Sequence, residues 1–305
     1  MDNVPIGAAP DAEPAAPNRL FHYTTQQTFV KIIESKEVWA TRMSFLSDAT
    51  EISLTVDLAL EELDRMISRN KCSMFTPDVC TSVRDWLARL RDMNFFSFSF
   101  SEIPDLLSQW RGYCAAGTGY SVVFDGALLK KIASSQGKRA FTLGMTGRSE
   151  GFELVKCVYE QPKQLGQIRM VIAAAIKHTV ASMNLSPKPD YAELVDRVGY
   201  RFAERLLQHA QSFKHQTFSE EREWRLISPP IGDDDPSVGY RLGQHTLIPY
   251  CRVAVATPDD CAIRGTWLGP NPHSKLAAHS AFLFLLRNGI KIPEVHTSKI
   301  PFRPL

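Results

Sequence analysis

Hydrophobic positions repeat along this chain with two different periods. The most regular stretch is Phe95 to Ser101, where Phe96, Phe98 and Phe100 alternate with Ser97, Ser99 and Ser101. A period of two puts the rings on one face of a strand and the hydroxyls on the other. Upstream, Leu20 to Thr24 (LFHYT) reads as a strand, Phe29, Val30, Ile32 and Ile33 mark a short amphipathic helix, and VWAT is extended again. Asp48-x-x-Glu51 has the spacing of a capping box, and Ile52, Val56, Leu60 and Leu63 continue a helix to about Met66. A third helix is predicted over Pro77 to Asp92 and a short one over Asp105 to Tyr113, with strands at Tyr120 to Phe124 and Phe152 to Tyr159.

From Gln164 to Gln211 the helical period runs long and glycine is scarce, broken only around Ser186 to Pro189. That pattern predicts an antiparallel helix pair, inserted as a layer of its own. Extended texture returns with EWRLIS, Tyr240 to Ile248 and TWLGP, then a helix over His273 to Asn288 and a last strand near Val295. No internal repeat is visible.

Composition narrows the class. With 44% hydrophobic and 22% charged residues, the chain has the make-up of a globular protein with a sizeable core. Its net charge of +2 selects neither for nor against nucleic acid. The longest apolar run, Met170 to Ile176, is far short of the roughly 20 residues a membrane-spanning helix needs. Met1 to Asn18 has four prolines, three acidic residues and no Lys or Arg, so it reads as a disordered tail, not a targeting segment. The six cysteines form no CxxC pair and the histidines no HExxH, so no metal site is expected, and reduced thiols fit a cytoplasmic location.

Two glycine motifs are better explained as turns. Gly147-Arg-Ser149-Glu-Gly151 matches the GxSxG of a hydrolase elbow, but both flanks look extended, which makes it a hairpin turn. Gly117-Thr-Gly119 lacks the third glycine of a dinucleotide loop and precedes a strand. The more informative constellation is a histidine in the first strand (His22), a serine strand followed by a Tyr-bearing helix, and Glu221-x-Glu223 in a late strand. Each part has an ordinary alternative: a satisfied structural histidine, a polar strand face, and charges paired across strands.

The blocks LFHYT, FSFSFSE followed by LLSQWRGY, FKHQTFSEEREWRLI and SKIPFR resemble the prokaryotic family called domain of unknown function 2971, from Leu20 to Arg303. Where that family more often has Asn-Asp-Pro, this chain has Ser47-Asp48-Ala49. More distantly, L-F-H-x-T, its helix and the following extended segment are similar to the start of the ADP-ribosyltransferases. The likeness is to the His-Tyr-Glu group, which includes poly(ADP-ribose) polymerases and the DNA-modifying DarT toxins. That resemblance implies an α+β core of two packed small β-sheets, residues 19–305 as one domain after a disordered tail over 1–18, and a helical insertion at about 164–211.

It also implies a chemistry: NAD as cosubstrate, release of nicotinamide, and transfer of ADP-ribose to a DNA, RNA or protein acceptor in a toxin or defence setting. Glu223 would stabilise the oxocarbenium-like charge that develops on the ribose, as glycosidase carboxylates do. Glu221, read as projecting from the same strand face, would orient or deprotonate the acceptor. His22 and Thr24 would hydrogen-bond the adenosine-side ribose, and the Tyr113 ring would pack on nicotinamide. Tyr23 stands where the polymerases have glycine. Ser97 and Ser99 are candidates for holding the dinucleotide, and Arg42 and Arg111 for meeting its pyrophosphate. The competing expectations are a non-catalytic nucleotide- or partner-binding module of the same fold, and an NAD glycohydrolase that uses water as acceptor.

Overall fold

The computed structural model describes residues 14–46, 51–68, 77–114, 119–136, 151–183, 190–232 and 234–301. Strand β1 (Leu20–Thr25) leads through helix α1 (Gln26–Ser35) to β2 (Glu37–Arg42). Then come α2 (Glu51–Ser68), α3 (Pro77–Asp92), β3 (Phe96–Ser101), α4 (Leu107–Tyr113), β4 (Gly119–Phe124), α5 (Gly126–Ser134) and β5 (Glu153–Lys156). The chain continues as α6 (Gln161–Met183), α7 (Tyr191–Ala210), β6 (Glu223–Ile227), β7 (Val238–Leu242), β8 (Leu247–Ala254), β9 (Ile263–Leu268), α8 (Ser274–Arg287) and β10 (Glu294–Thr297).

Local chemistry explains the entry to this fold. The Thr25 hydroxyl accepts from the Thr28 amide and caps α1, which buries Phe29, Ile32 and Ile33. Lys36 then adopts a left-handed backbone (φ 55°), its amide bonds the Ile32 carbonyl, and the chain turns into β2.

The architecture is α+β, and among the described residues the strands are hydrogen-bonded into one branched sheet where two packed small sheets were expected. Ten strands join in one sheet, ordered β10-β9-β4-β1-β3-β2-β8-β7, with β6 and β5 branching from β3. The branch arises because β6 covers one edge of β3 from Ser97 to Ser101. The other edge is shared. β1 meets it at Ser101, opposite Phe21, while β2 meets it at Ser97 and Phe96, opposite Thr41 and Arg42. Between those contacts β1 and β2 splay apart, and α1 connects them.

The main core lies on the phenylalanine face, where Phe96, Phe98 and Phe100 pack with Leu20, Ile33 and Trp224. A second core is mainly helical. α6 and α7, the pair expected from the sequence, do not stand alone but pack with α2 and α3 through Val56, Leu63, Leu87, Ile172 and Phe202, joined by Phe213 from the segment after α7. A small third cluster, Phe21, Tyr23, Trp110 and Val123, holds α4 against β1.

Three local expectations change. Tyr240 to Ile248 is not one extended run but the hairpin β7–β8, closed where the Gly243 amide bonds the Thr246 carbonyl at 3.0 Å. Helix α5, capped by Asp125, has no counterpart in the reading above. Contact with the body begins before residue 19, since Ala16 packs on the main core. The start of the second helix at Asp48, the turns at Gly117-Thr118 and at Gly147 to Glu150, the break at Ser186 to Pro189, residues 1–13 and the last four residues lie outside the described residues. Among the described residues no helix is long and apolar enough to cross a membrane.

Candidate functional site

A cleft of about 1320 Å³ opens where β1 and β2 separate over β3. His22, Tyr23, Thr24, Ser97, Ser99, Tyr113, Glu221 and Glu223 all line it. Arg42 and Arg111 do not. Arg42 follows Thr41 on β2 and so points to the opposite face, with its guanidinium over the Phe45 ring, while Arg111 is exposed on α4. The cations that do line the cleft are Lys31, Lys214, Arg225, Arg241 and Arg252.

The registers place these groups at two levels. Ser101 is the cross-strand partner of both Phe21 and Glu223, on opposite edges of β3, and the three share the serine face, as do Ser99 with Arg225 and Ser97 with Thr41. His22 alternates to the other side, where its ring centroid lies 4.1 Å from that of Phe98. It still reaches the cleft because the sheet is open there. The stretch of β3 edge around Ser99 lacks a strand on this side, and His22 Nδ1 takes up the Ser99 carbonyl at 2.9 Å. A carbonyl only accepts, so Nδ1 carries the proton and Nε2 is left as an acceptor. Burial pushes the imidazole pKa down to about 4 against the pull of the Ser99 carbonyl, so the ring is neutral.

Glu221 and Glu223 are not neighbours in one strand. Gln216–Glu221 forms a 3₁₀ turn, Arg222 takes a left-handed backbone (φ 43°), and only Glu223 begins β6. What joins the two carboxylates is Lys214, which the sequence did not single out. Its ammonium donates to Glu221 Oε2 at 2.7 Å and to Glu223 Oε2 at 2.6 Å. Arg225 approaches Glu223 from the other side as a fork, Nε to Oε1 at 2.7 Å and Nη2 to Oε2 at 3.1 Å. Burial by itself would raise the Glu223 pKa, but Arg225 and Lys214 together outweigh it and hold the carboxyl down at about 2. The same carboxylates keep Lys214 well above the ordinary lysine range against its own desolvation.

Ser101 and Ser97 differ in kind. Ser101 is structural: its hydroxyl donates to the Glu221 carbonyl at 2.6 Å and accepts from the Ile103 amide at 3.0 Å, tying the 3₁₀ turn to β3. The Ser97 hydroxyl is buried and makes no hydrogen bond within the protein. Tyr23 is also structural, since its hydroxyl donates to the Ile103 carbonyl at 2.7 Å and accepts from the Leu106 amide at 3.0 Å. Tyr113 ends α4 and is 51% exposed, at the mouth of the cleft. Lys214 could not be found by pattern, because it sits in an irregular turn after α7 and reaches the site only through the fold. Among the described residues no cluster of three or more His, Cys, Asp or Glu is placed to hold a metal ion.

The family described as "Protein of unknown function (DUF2971)" matches residues 109–226, less than half of the chain. The match runs from α4 to β6 and so includes Tyr113, Lys214, Glu221, Glu223 and Arg225, but neither His22 nor Ser97. No curated protein and no solved structure matches the chain.

Proposed function

We propose that this cleft binds NAD and transfers its ADP-ribose to a macromolecular acceptor. The observation that carries the reading is one cleft lined by three groups suited to sugar hydroxyls and developing positive charge. They are the neutral His22 with its acceptor Nε2, the unpartnered Ser97 hydroxyl and the ionised Glu223. Tyr113 at the mouth offers a ring face for nicotinamide. In this reaction the bond from ribose C1′ to the nicotinamide nitrogen breaks, its electron pair leaves with nicotinamide, and C1′ gains oxocarbenium character that a carboxylate stabilises. The acceptor nucleophile then bonds C1′ and loses its proton, for which Glu221 is the base on offer. The acceptor class, DNA, RNA or protein, is the open variable of this proposal, and a toxin or defence role is the setting it implies.

One observation favours a second reading, a binding module of the same fold. Glu223 is answered by both Lys214 and Arg225, and a carboxylate neutralised on two sides does less for a neighbouring cation. Incubating the full chain with labelled NAD, alone and with cellular RNA, DNA or protein, separates the readings by free nicotinamide and by label on the acceptor. Glu223→Gln is expected to lower nicotinamide release on the order of a hundredfold, the scale of losing one electrostatic stabiliser. Unfolding of the variant is measured alongside. No nicotinamide from the wild type under any condition, or equal release by the variant, refutes the transferase reading.

A further inference from the structure

On the side of the cleft formed by β2 and the β7–β8 hairpin, three side chains with protons left to donate come together. Ser97 and Thr41 are directly opposed across β3 and β2, which brings their side chains to about 5 Å on one face of the sheet. Both are buried, 3% and 6% exposed, so neither hydroxyl is satisfied by bulk water. Ser97 Oγ has no partner within the protein. Thr41 Oγ1 accepts from Arg241 Nη2 at 2.9 Å, which uses one of its two lone pairs and leaves its proton to be given elsewhere. Arg241, brought there by β7, spends one of its five N–H groups on that bond. Among the described residues Arg241 has no carboxylate within ion-pair distance, and Tyr250 is the one group beside it that favours its charge, whereas Arg252 nearby has Glu37 as well as Tyr250.

A buried hydroxyl with nothing to bond costs roughly 1–3 kcal/mol, whereas Arg241 is an exposed residue and keeps its remaining N–H groups open to an approaching ligand. What would satisfy all three groups at once is an oxyanion with several acceptor oxygens. A phosphoryl group fits best, because a guanidinium fork matches its geometry and its further oxygens can accept from the neighbouring hydroxyls. Trp39, two residues before Thr41 on the same face and stacked on Tyr250 at 4.2 Å, gives the position a rigid wall.

We propose that Arg241, Thr41 and Ser97 form an oxyanion subsite for the diphosphate of the nucleotide, an assignment that rests on the nucleotide reading of the cleft. It replaces Arg42 and Arg111, which lie off the cleft, with an arginine the hairpin delivers. The test measures binding of ADP, pyrophosphate and adenosine to the full-length protein by titration calorimetry, for wild type, Arg241→Gln and Ser97→Ala. ADP affinity should fall at least about tenfold in Arg241→Gln and several-fold in Ser97→Ala, on the scale of hydrogen bonds to a charged group. Adenosine affinity should stay unchanged. The subsite is overturned if wild type binds neither ADP nor pyrophosphate, if both variants hold ADP as tightly as wild type, or if adenosine weakens equally, since the cleft would then be deformed. The two proposals fail separately. ADP binding that depends on Arg241 without any cleavage of NAD keeps the subsite and removes the transferase, and NAD cleavage with ADP affinity indifferent to both variants does the reverse.

Discussion

Lys214 offers the most direct measure of what holds the cleft together. Its side chain is 3% exposed, and its ammonium bridges Glu221 and Glu223 at 2.7 and 2.6 Å. Lys214→Met keeps the length of the side chain and removes the charge, leaving Glu223 buried with Arg225 alone and Glu221 without its ammonium. Taking away one partner of a buried pair costs about 3–5 kcal/mol, because the remaining charge has neither water nor an adequate counter-ion. With a urea slope of about 3 kcal/mol/M, the unfolding midpoint should drop by about 1 M or more.

The pH dependence gives an independent check on the same magnitude. Glu223 titrates at about 2 in the folded protein against 4.5 for an ordinary glutamate. A difference of about 2.5 units is worth about 3 kcal/mol. Because the folded pKa is depressed, that stabilisation is complete above pH 4.5 and is lost as pH falls through about 2. In Lys214→Met the Glu223 pKa rises toward its ordinary value, so the gap between wild type and variant should be full at pH 7 and narrower at pH 3. Urea unfolding followed by tryptophan fluorescence at both pH values reads it. Coincident curves at pH 7, or a gap just as wide at pH 3, would refute the reasoning.

Arg222 should tolerate glycine and resist β-branching: at φ 43° a valine is a steric outlier, so Arg222→Val is expected to unfold about 1–2 kcal/mol more easily than Arg222→Gly, measured by the same urea titration. His22 carries the opposite end of the pH range. Its folded pKa of about 4 lies below the ordinary 6.5, so the neutral ring's contribution is complete above pH 6.5 and lost as pH falls through about 4, by up to about 3 kcal/mol. Wild type should therefore lose stability from pH 7 to pH 5 more steeply than His22→Gln, and parallel slopes would show that the imidazole is not held neutral.

What could be read from the sequence follows the range of the forces involved. The Phe/Ser alternation of β3 and the periods of α3, α6 and α7 are local, and the structure has them. The single sheet was not legible, because it depends on β3 sharing one edge between β1 and β2, a long-range register that neither strand records. Glu221-Arg222-Glu223 looks extended in every residue, and the left-handed turn that separates the carboxylates falls on an arginine, where no glycine or asparagine announces it. Arg241 was hidden inside a run read as one strand, although Gly243 marks the hairpin that aims it. Lys214 and the pairing of Ser97 with Thr41 belong to no motif at all.

Several departures from local rules meet at the cleft, although others lie elsewhere: Lys36 is left-handed after α1, and Ser82, Ser121 and Gln167 each hold a buried polar side-chain atom with no partner within the protein. A left-handed arginine, a buried serine hydroxyl with no partner, a histidine held neutral and a buried Lys-Glu-Arg cluster all fall on the cleft or next to it, while the phenylalanine face behind them is ordinary close-packed core. Each departure has a cost, and a sheet whose only task was to be stable would shed them: Ser97 could be alanine, and the buried charges could be apolar residues of similar volume at little or no loss. Where they meet, they fit a cleft whose polar groups are positioned for a ligand as well as for each other. The core and the helical layer are what tolerate that arrangement. Phe213 is anchored in the helical core, and the next residue, Lys214, clamps the two glutamates, so a single turn of chain couples the helices to the cleft.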